Sequence, residues 1–426
     1  MPDWTSKPHT TFTTSISFTP PEIITLSNGI KLQVIADGEE ETNKLAVYLP
    51  GGNYEEAAPL ISALTAAALF EGNEHATAEK IAQDLDFCGA GKQVNSYDHF
   101  ACATLSSLNY NFLHTCQIFF NCVCSPTFPE SNMQNIVRRV AGHYKTSLEE
   151  VETLAENEIN RQYYGERHPL SRIPTPQGIE SISSTDLKQF HARYYHPENC
   201  RIILSGRITD KELRILDDTF GQWKPSEQVT DLLPDMMPES PHNVQSVIRK
   251  QNAVQSAIKI RIGAIPRVHP DYIPLRILIT ALGGYFGSRL MKNIREEKGF
   301  TYNISASLSG RRHDGYIDIE TQCDTAFTWK VIDEIKAEIS RLQNEPLDQD
   351  ELLKVKKYII SSLTKVLDTP SSRASYTSTD FLYGTGADYF SRQVEILGRI
   401  TPEELAEIAR KYLDTDSMLQ VVAGNV

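Results

Sequence analysis

The fold of the second half is decided at Ile294-Arg295-Glu296-Glu297-Lys298-Gly299-Phe300-Thr301-Tyr302, where a helix end, a turn and a strand start follow one another. The pattern predicts a helix that ends at Lys298, since Gly299 can take the left-handed conformation that closes a helix. A strand is predicted to begin at Thr301. Arg295 and Tyr302 are seven residues apart, so both side chains can point to one rim of the domain.

The two halves of the chain repeat each other at an offset of 218 residues. In both, an amphipathic helix precedes an apolar strand that ends in glycine. The matching positions are Leu187, Phe190, Tyr194, Ile203, Leu204 and Gly206 in the first half, and Leu405, Ile408, Tyr412, Val421, Val422 and Gly424 in the second. The match is imperfect, because Ile202 meets Gln420. A fixed offset with matching residue classes favours duplication, so we expect two homologous domains.

Hydrophobic periodicity predicts an α+β fold. A hairpin is expected around Asn28-Gly29, a dipeptide that suits a tight two-residue turn. Further strands are predicted at 44–49, 201–205 and 258–262, and helical patterns cover about 57–70, 77–88, 110–124, 130–163 and 184–195. Four prolines (Pro225, Pro234, Pro238 and Pro241) mark a linker at 222–243. The predicted domains are therefore 1–221 and 244–426.

The composition excludes several classes of protein. Of the 426 residues, 40% are hydrophobic and 23% are charged, as in soluble globular proteins. The formal net charge of −13 at pH 7 argues against a nucleic-acid or anionic-membrane surface, since both need clustered Lys and Arg. The odd count of seven cysteines predicts free thiols. No apolar run is long enough to span a bilayer and no signal peptide is visible, so we expect a cytoplasmic protein.

Two distinctive segments flank a run that has no catalytic side chain, Ala63-Leu64-Thr65-Ala66-Ala67. Gly51-Gly52-Asn53-Tyr54-Glu55 precedes it, and Leu69-Phe70-Glu71-Gly72-Asn73 follows it. Further segments are weak signals one by one and gain specificity from their common order and spacing: His168-Pro169-Leu170, Tyr194-Tyr195-His196-Pro197, Leu282-Gly283-Gly284, Ser288-Arg289-Leu290 and 294–302.

In this order and spacing, the segments resemble the insulinase or pitrilysin family of metallopeptidases, the inverzincins that include mitochondrial processing peptidase. The resemblance implies two domains, each a mainly antiparallel sheet covered by helices on one face, arranged as a clam-shell around a peptide. It places the first histidine, the glutamate and the second histidine of the family's HxxEH zinc motif at Ala63, Ala66 and Ala67. Alanine offers neither a lone pair to zinc nor a proton acceptor, so we expect no metal in this chain.

The other candidate ligands do not replace the motif. The resemblance places the family's distal glutamate ligand near His143, with Glu149 and Glu150 as imperfect alternatives. Glu74-His75 imitates the end of the motif, but Glu71 stands where the first histidine should be, and His75 is expected in a loop beyond the helix.

The resemblance gives Arg295 and Tyr302 a role in catalysis. In relatives, an arginine at this position holds a substrate carbonyl and a tyrosine seven residues later stabilises the oxyanion in a zinc site. Spacing alone favours a structural role, because an arginine in a last helical turn complements the helix dipole and a strand tyrosine is commonly core. The surrounding family motifs reverse that preference.

We therefore expect a non-catalytic subunit that contributes Arg295 and Tyr302 to the site of a zinc-bearing partner subunit acting on a peptide substrate. The alternative is a structural or peptide-binding scaffold without a role in proteolysis, which could hold an extended peptide at a sheet edge. An independent metallopeptidase with unconventional ligands is a third interpretation. A homodimer is possible in isolation, and neither nucleic acid nor membrane is expected as a partner.

Overall fold

The computed structural model describes residues 12–225, 236–241 and 243–426. The chain divides into two compact units. Among the described residues, the N-terminal unit contains 20–225, 236–241 and Asp368–Ser378, and the C-terminal unit contains 12–19, 243–367 and Thr379–Val426. The predicted boundaries at 221 and 244 stay predictions. The linker prediction falls partly on 226–235 and 242, which lie outside the described residues, and its described part after Gln222 forms no helix or strand.

The N-terminal unit is built on a six-stranded sheet with the order β1-β2-β6-β3-β5-β4. Its strands are β1 (Glu22–Thr25), β2 (Lys31–Ile35), β3 (Thr42–Pro50), β4 (Gly91–Ser96), β5 (Phe100–Leu108) and β6 (Arg201–Gly206). Only β2 and β6 pair in parallel, so the sheet is mainly antiparallel. The predicted hairpin of β1 and β2 is present, and Gly29 has a φ of 94° in its turn.

Eight α-helices lie between and after these strands in the described part of this half. They are α1 (Ile61–Ala68), α2 (Ala78–Phe87), α3 (Phe112–Cys124), α4 (Glu130–Ser147), α5 (Val151–Tyr164), α6 (Pro176–Glu180), α7 (Ser184–Tyr194) and α8 (Asp210–Asp218). Buried residues of the strands, such as Leu45, Val47 and Leu49, share one core with Leu64 and Leu187 from the helices. Burial of these side chains is the main stabilising term of the unit.

Two helix predictions need correction. The pattern at 57–70 gives a shorter helix, α1, because Leu60 has a φ of 74° and so interrupts a helix that would start earlier. The pattern at 130–163 gives two helices, α4 and α5, which are separated at 148–150. The helix breaks because Glu150 has an extended conformation, with a ψ of 130°. The sequence pattern does not show the break, because Val151 continues the apolar spacing.

The C-terminal unit has a five-stranded sheet with the order β7-β11-β8-β10-β9. Its strands are β7 (Val244–Arg249), β8 (Gln255–Ala264), β9 (Thr301–Gly310), β10 (Gly315–Asp324) and β11 (Leu419–Gly424). The helices of this half are α9 (Tyr272–Gly283), a π-helix (Met291–Glu297), α10 (Thr328–Asn344), α11 (Gln349–Leu367), α12 (Pro370–Tyr383), α13 (Tyr389–Arg399) and α14 (Pro402–Tyr412).

The topology confirms the predicted duplication. Strands β2-β6-β3-β5-β4 correspond in order to β7-β11-β8-β10-β9, and β11, like β6, pairs in parallel on one side and antiparallel on the other. The bounds of α7 and α14, and those of β6 and β11, differ by 218 residues at both ends. Even the capping boxes correspond: Ser183 with Asp186 in one half, and Thr401 with Glu404 in the other. The predicted α+β fold with two related sheets is therefore confirmed.

The cysteines are free thiols, as predicted, and six of the seven are buried. No helix in the described ranges combines the length and the apolar character that crossing a membrane requires.

Candidate functional site

A π-helix carries Arg295. The wider turn of this helix is visible where the Lys298 N–H donates to the Asn293 carbonyl five residues earlier, at 3.1 Å. Asn293 is buried, and its amide donates to Glu338 at 2.6 Å, which fixes the segment to α10. Gly299 then takes a φ of 63°, and β9 starts at Thr301. The predicted turn and strand start are confirmed, whereas the helix type was not predicted. π-Helical segments are rare and frequently occur at functional sites.

A β-bulge carries Tyr302. Thr301 pairs with Cys323 and Ile304 pairs with Thr321, so Tyr302 and its neighbour Asn303 together face one residue of β10. The Thr301 and Thr321 hydroxyls lie 2.7 Å apart, and the Thr321 hydroxyl donates to the Asn303 carbonyl at 2.7 Å. This arrangement holds the extra residue in place. Bulges re-aim side chains, and the Tyr302 side chain is 85% exposed.

The structure brings Arg295 and Tyr302 together. The Arg295 guanidinium carbon lies 5.3 Å from the centre of the Tyr302 ring and 4.8 Å from that of Phe286. Within the part of the chain that the structure describes, neither the guanidinium nor the Tyr302 hydroxyl has a hydrogen-bond or ion-pair partner. Because cation–π contacts use the face of the guanidinium, its N–H groups stay available to an acceptor. The cluster can donate several hydrogen bonds to one external oxygen-bearing group.

Phe286 was not predicted as a site residue. The signal was present, since two aromatic residues, Tyr285 and Phe286, lie between Gly284 and Gly287. The glycine before this turn, Gly283, serves close packing: a Cβ there would lie 2.5 Å from the Ala306 nitrogen, so α9 can end against β9 only with glycine at this position.

The degenerate motif lies on α1, in the other unit. Ala66 is 1% exposed and belongs to the core, Ala63 is half-buried and Ala67 is exposed. These side chains carry no donor atom for a metal, and the buried position of Ala66 leaves no access to solvent, so the residues present do not fit a zinc ion.

The alternative ligand residues do not form a metal-binding group within the described part of the chain. His143 is exposed on α4, Glu149 and Glu150 are exposed beyond its end, and His75 lies exposed in a loop, as predicted for His75. In residues 12–225, 236–241 and 243–426, no three His, Cys, Asp or Glu side chains group as metal ligands do.

Glu56 holds the start of α1. One carboxyl oxygen accepts from the Leu60 N–H at 3.0 Å and the other from the Ser62 N–H at 2.9 Å, which satisfies backbone donors that a helix start leaves free. Burial raises the pKa of Glu56 to about 7, against the opposing effects of these hydrogen bonds and of Arg172. The carboxyl group is therefore partly protonated near neutral pH.

We expect Glu56→Gln to change the pH dependence of stability. Between its ordinary pKa and about 7, native Glu56 keeps a proton that the unfolded chain releases, so its contribution to stability falls as pH rises through this window. Glutamine cannot ionise. Relative to the parent, the variant should gain up to about 3 kcal/mol of unfolding free energy from pH 5 to pH 8, as measured by denaturant titration.

The difference between the two proteins is the correct readout for two reasons. Glutamine presents an amide to one of the two backbone donors, a cost that is the same at every pH. Burial also lowers the pKa of His191 to about 4, so the parent loses stability as pH falls from 6.5. The variant contains the same histidine, and this effect therefore cancels in the difference. An unchanged difference between variant and parent at pH 5 and pH 8 would contradict the role of Glu56.

The chain is similar to M16 peptidases and to their inactive homologues. A family model described as the peptidase M16 inactive domain matches residues 181–359. A Bacillus subtilis protein named uncharacterized zinc protease YmxG is 21% identical over 411 residues, which cover 94% of this chain and 98% of that protein. A Helicobacter pylori protein named non-peptidase homolog YmxG is 20% identical over 71% of this chain and 69% of its own length.

Solved structures share the fold. The crystal structure of a peptidase M16 inactive domain from Pseudomonas fluorescens superposes with a TM-score of 0.87 at 23% identity, covering 95% of this chain and 98% of that chain. A protease from Helicobacter pylori gives a TM-score of 0.84 at 15% identity over 95% of this chain and 100% of that chain.

Proposed function

We propose that this chain, which is similar to M16 peptidases but has alanines in place of the zinc motif, is the metal-free subunit of a two-chain zinc peptidase. In this proposal the zinc belongs to a partner subunit of the same family. This chain binds the peptide and supplies Arg295 and Tyr302 to the partner's site.

The observation that carries the proposal is the Arg295–Tyr302 pair, whose polar groups have no hydrogen-bond or ion-pair partner among the described residues. A purely structural arginine in a last helical turn would be expected to bond to nearby carbonyls or carboxylates. Arg289, just before the same π-helix, is bonded in this structural manner, with two bonds to Glu351 at 2.8 and 2.9 Å. Arg295 instead stacks on two exposed rings and keeps its N–H groups free among the described residues.

The chemistry follows from these donors. The guanidinium can donate one or two N–H groups to the oxygen of a peptide carbonyl, which has two lone pairs. The Tyr302 hydroxyl can donate to the oxygen that becomes negatively charged when the carbonyl is attacked, an interaction that is stronger in the transition state than in the bound substrate. This chain supplies neither the metal nor a base from the degenerate motif.

Reconstitution tests the proposal. The chain is purified alone and together with a family member from the same genome that carries HxxEH, and hydrolysis of a quenched fluorescent peptide library is measured. We expect no stoichiometric zinc and no hydrolysis from the chain alone, and at least tenfold more hydrolysis from the pair than from the zinc-bearing subunit alone. Binding of peptides without any gain in hydrolysis would favour a scaffold. Stoichiometric zinc in the isolated chain, measured by elemental analysis, would contradict its assignment as metal-free.

A further inference from the structure

Phe286 has an unusual place for a phenylalanine. It lies in the turn between α9 and the π-helix, and its side chain is 63% exposed. The preceding aromatic, Tyr285, instead contacts Tyr358 of α11, with ring centres 5.2 Å apart. Packing against α11 therefore accounts for the half-buried Tyr285. Burial does not account for Phe286, because an exposed ring gains little from it.

The contact that Phe286 does make is with Arg295. The guanidinium carbon lies 4.8 Å from the Phe286 ring centre and 5.3 Å from the Tyr302 ring centre, so two rings contact one cation. A long arginine side chain otherwise samples many rotamers, and ordering it costs free energy. Two aromatic contacts reduce that freedom without using any N–H group.

We infer that Phe286 is a positioning residue for substrate binding, which holds the Arg295 guanidinium beside the Tyr302 hydroxyl. This inference rests on the proposed function of the pair. It adds a third residue, from a separate turn, whose effect on a peptide passes through Arg295.

The first test uses the isolated chain and requires no activity. Arginine side chains are labelled with ¹⁵N, and the Arg295 Nε–H resonance is assigned by its loss in Arg295→Lys. Phe286→Leu removes ring-current shielding and should move this resonance downfield, whereas Phe286→Tyr keeps a ring and should leave it near its original position. Tyr285→Leu is the matched control from the same turn and should not move it. An unmoved resonance in Phe286→Leu overturns the inference.

The second test uses the reconstituted pair and the library peptide that it cleaves fastest. Because Arg295 contacts the carbonyl in both the bound substrate and the transition state, loss of its positioning should raise KM about three- to tenfold and leave kcat within about twofold. Phe286→Tyr should restore the parental KM. A fall in kcat at unchanged KM, or no effect of Phe286→Leu on either constant, overturns the inference.

The two proposals fail in different ways. If Tyr302→Phe and Arg295→Lys both leave hydrolysis unchanged, the proposed function is wrong whatever the resonance does. If those variants impair hydrolysis but Phe286→Leu changes neither the resonance nor KM, only the positioning role is wrong.

Discussion

Tyr302→Phe in this chain should lower kcat of the reconstituted pair by roughly ten- to a thousandfold, with a small effect on KM. The substitution removes a single oxygen. The ring remains, so the contact with Arg295 at 5.3 Å is kept. Because the hydroxyl would serve the oxyanion, its loss should affect the transition state more than the bound substrate.

The same substitution should leave folding unchanged. Tyr302 is 85% exposed and its hydroxyl has no partner among the described residues, so the free energy of unfolding should change by less than about 0.5 kcal/mol. Tyr110→Phe is the matched control, since Tyr110 is also an exposed tyrosine, at 72%. It should leave kcat at the parental value. Full activity in the Tyr302→Phe pair would refute the proposed role of this hydroxyl.

The general fold was predictable because it depends on regular patterns. The offset of 218 residues anticipated matching helices and strands, and the structure has α7 with β6 and α14 with β11 at that offset. The closeness of Arg295 and Tyr302 was also predictable, since Gly299 defines the turn between them. Duplicated patterns and glycine turns are local properties that a sequence displays directly.

The local irregularities of the site were not predictable from periodicity. The π-helix depends on the bond from Lys298 to Asn293, and the bulge on the pairing of Thr301 with Cys323 and of Ile304 with Thr321. Both shift the register by one residue, an effect that tertiary contacts set. Phe286, the second aromatic residue that contacts Arg295, lies in the turn before the π-helix. No spacing rule predicts where the side chains of such a turn point. The sequence therefore located the pair but not the elements that orient it.

Ala66→Glu should destabilise the chain by about 3 kcal/mol or more, even though it restores a residue of the family motif. Ala66 is 1% exposed and is part of the apolar core of the N-terminal unit. A glutamate there must either bury a carboxyl group among apolar neighbours or displace them, and both are costly. Denaturant unfolding at pH 7 measures the change.

Ala67→Glu is the matched control on the same helix. Ala67 is exposed, so the same side chain should change the free energy of unfolding by about 0.5 kcal/mol or less. Similar effects at the two positions would show that the core does not constrain position 66. A larger destabilisation by Ala66→Glu than by Ala67→Glu would show that position 66 of α1 belongs to the core. The family motif needs an accessible carboxylate at that same position. Restoring the motif would then require changes in the residues packed around α1, in addition to the motif itself.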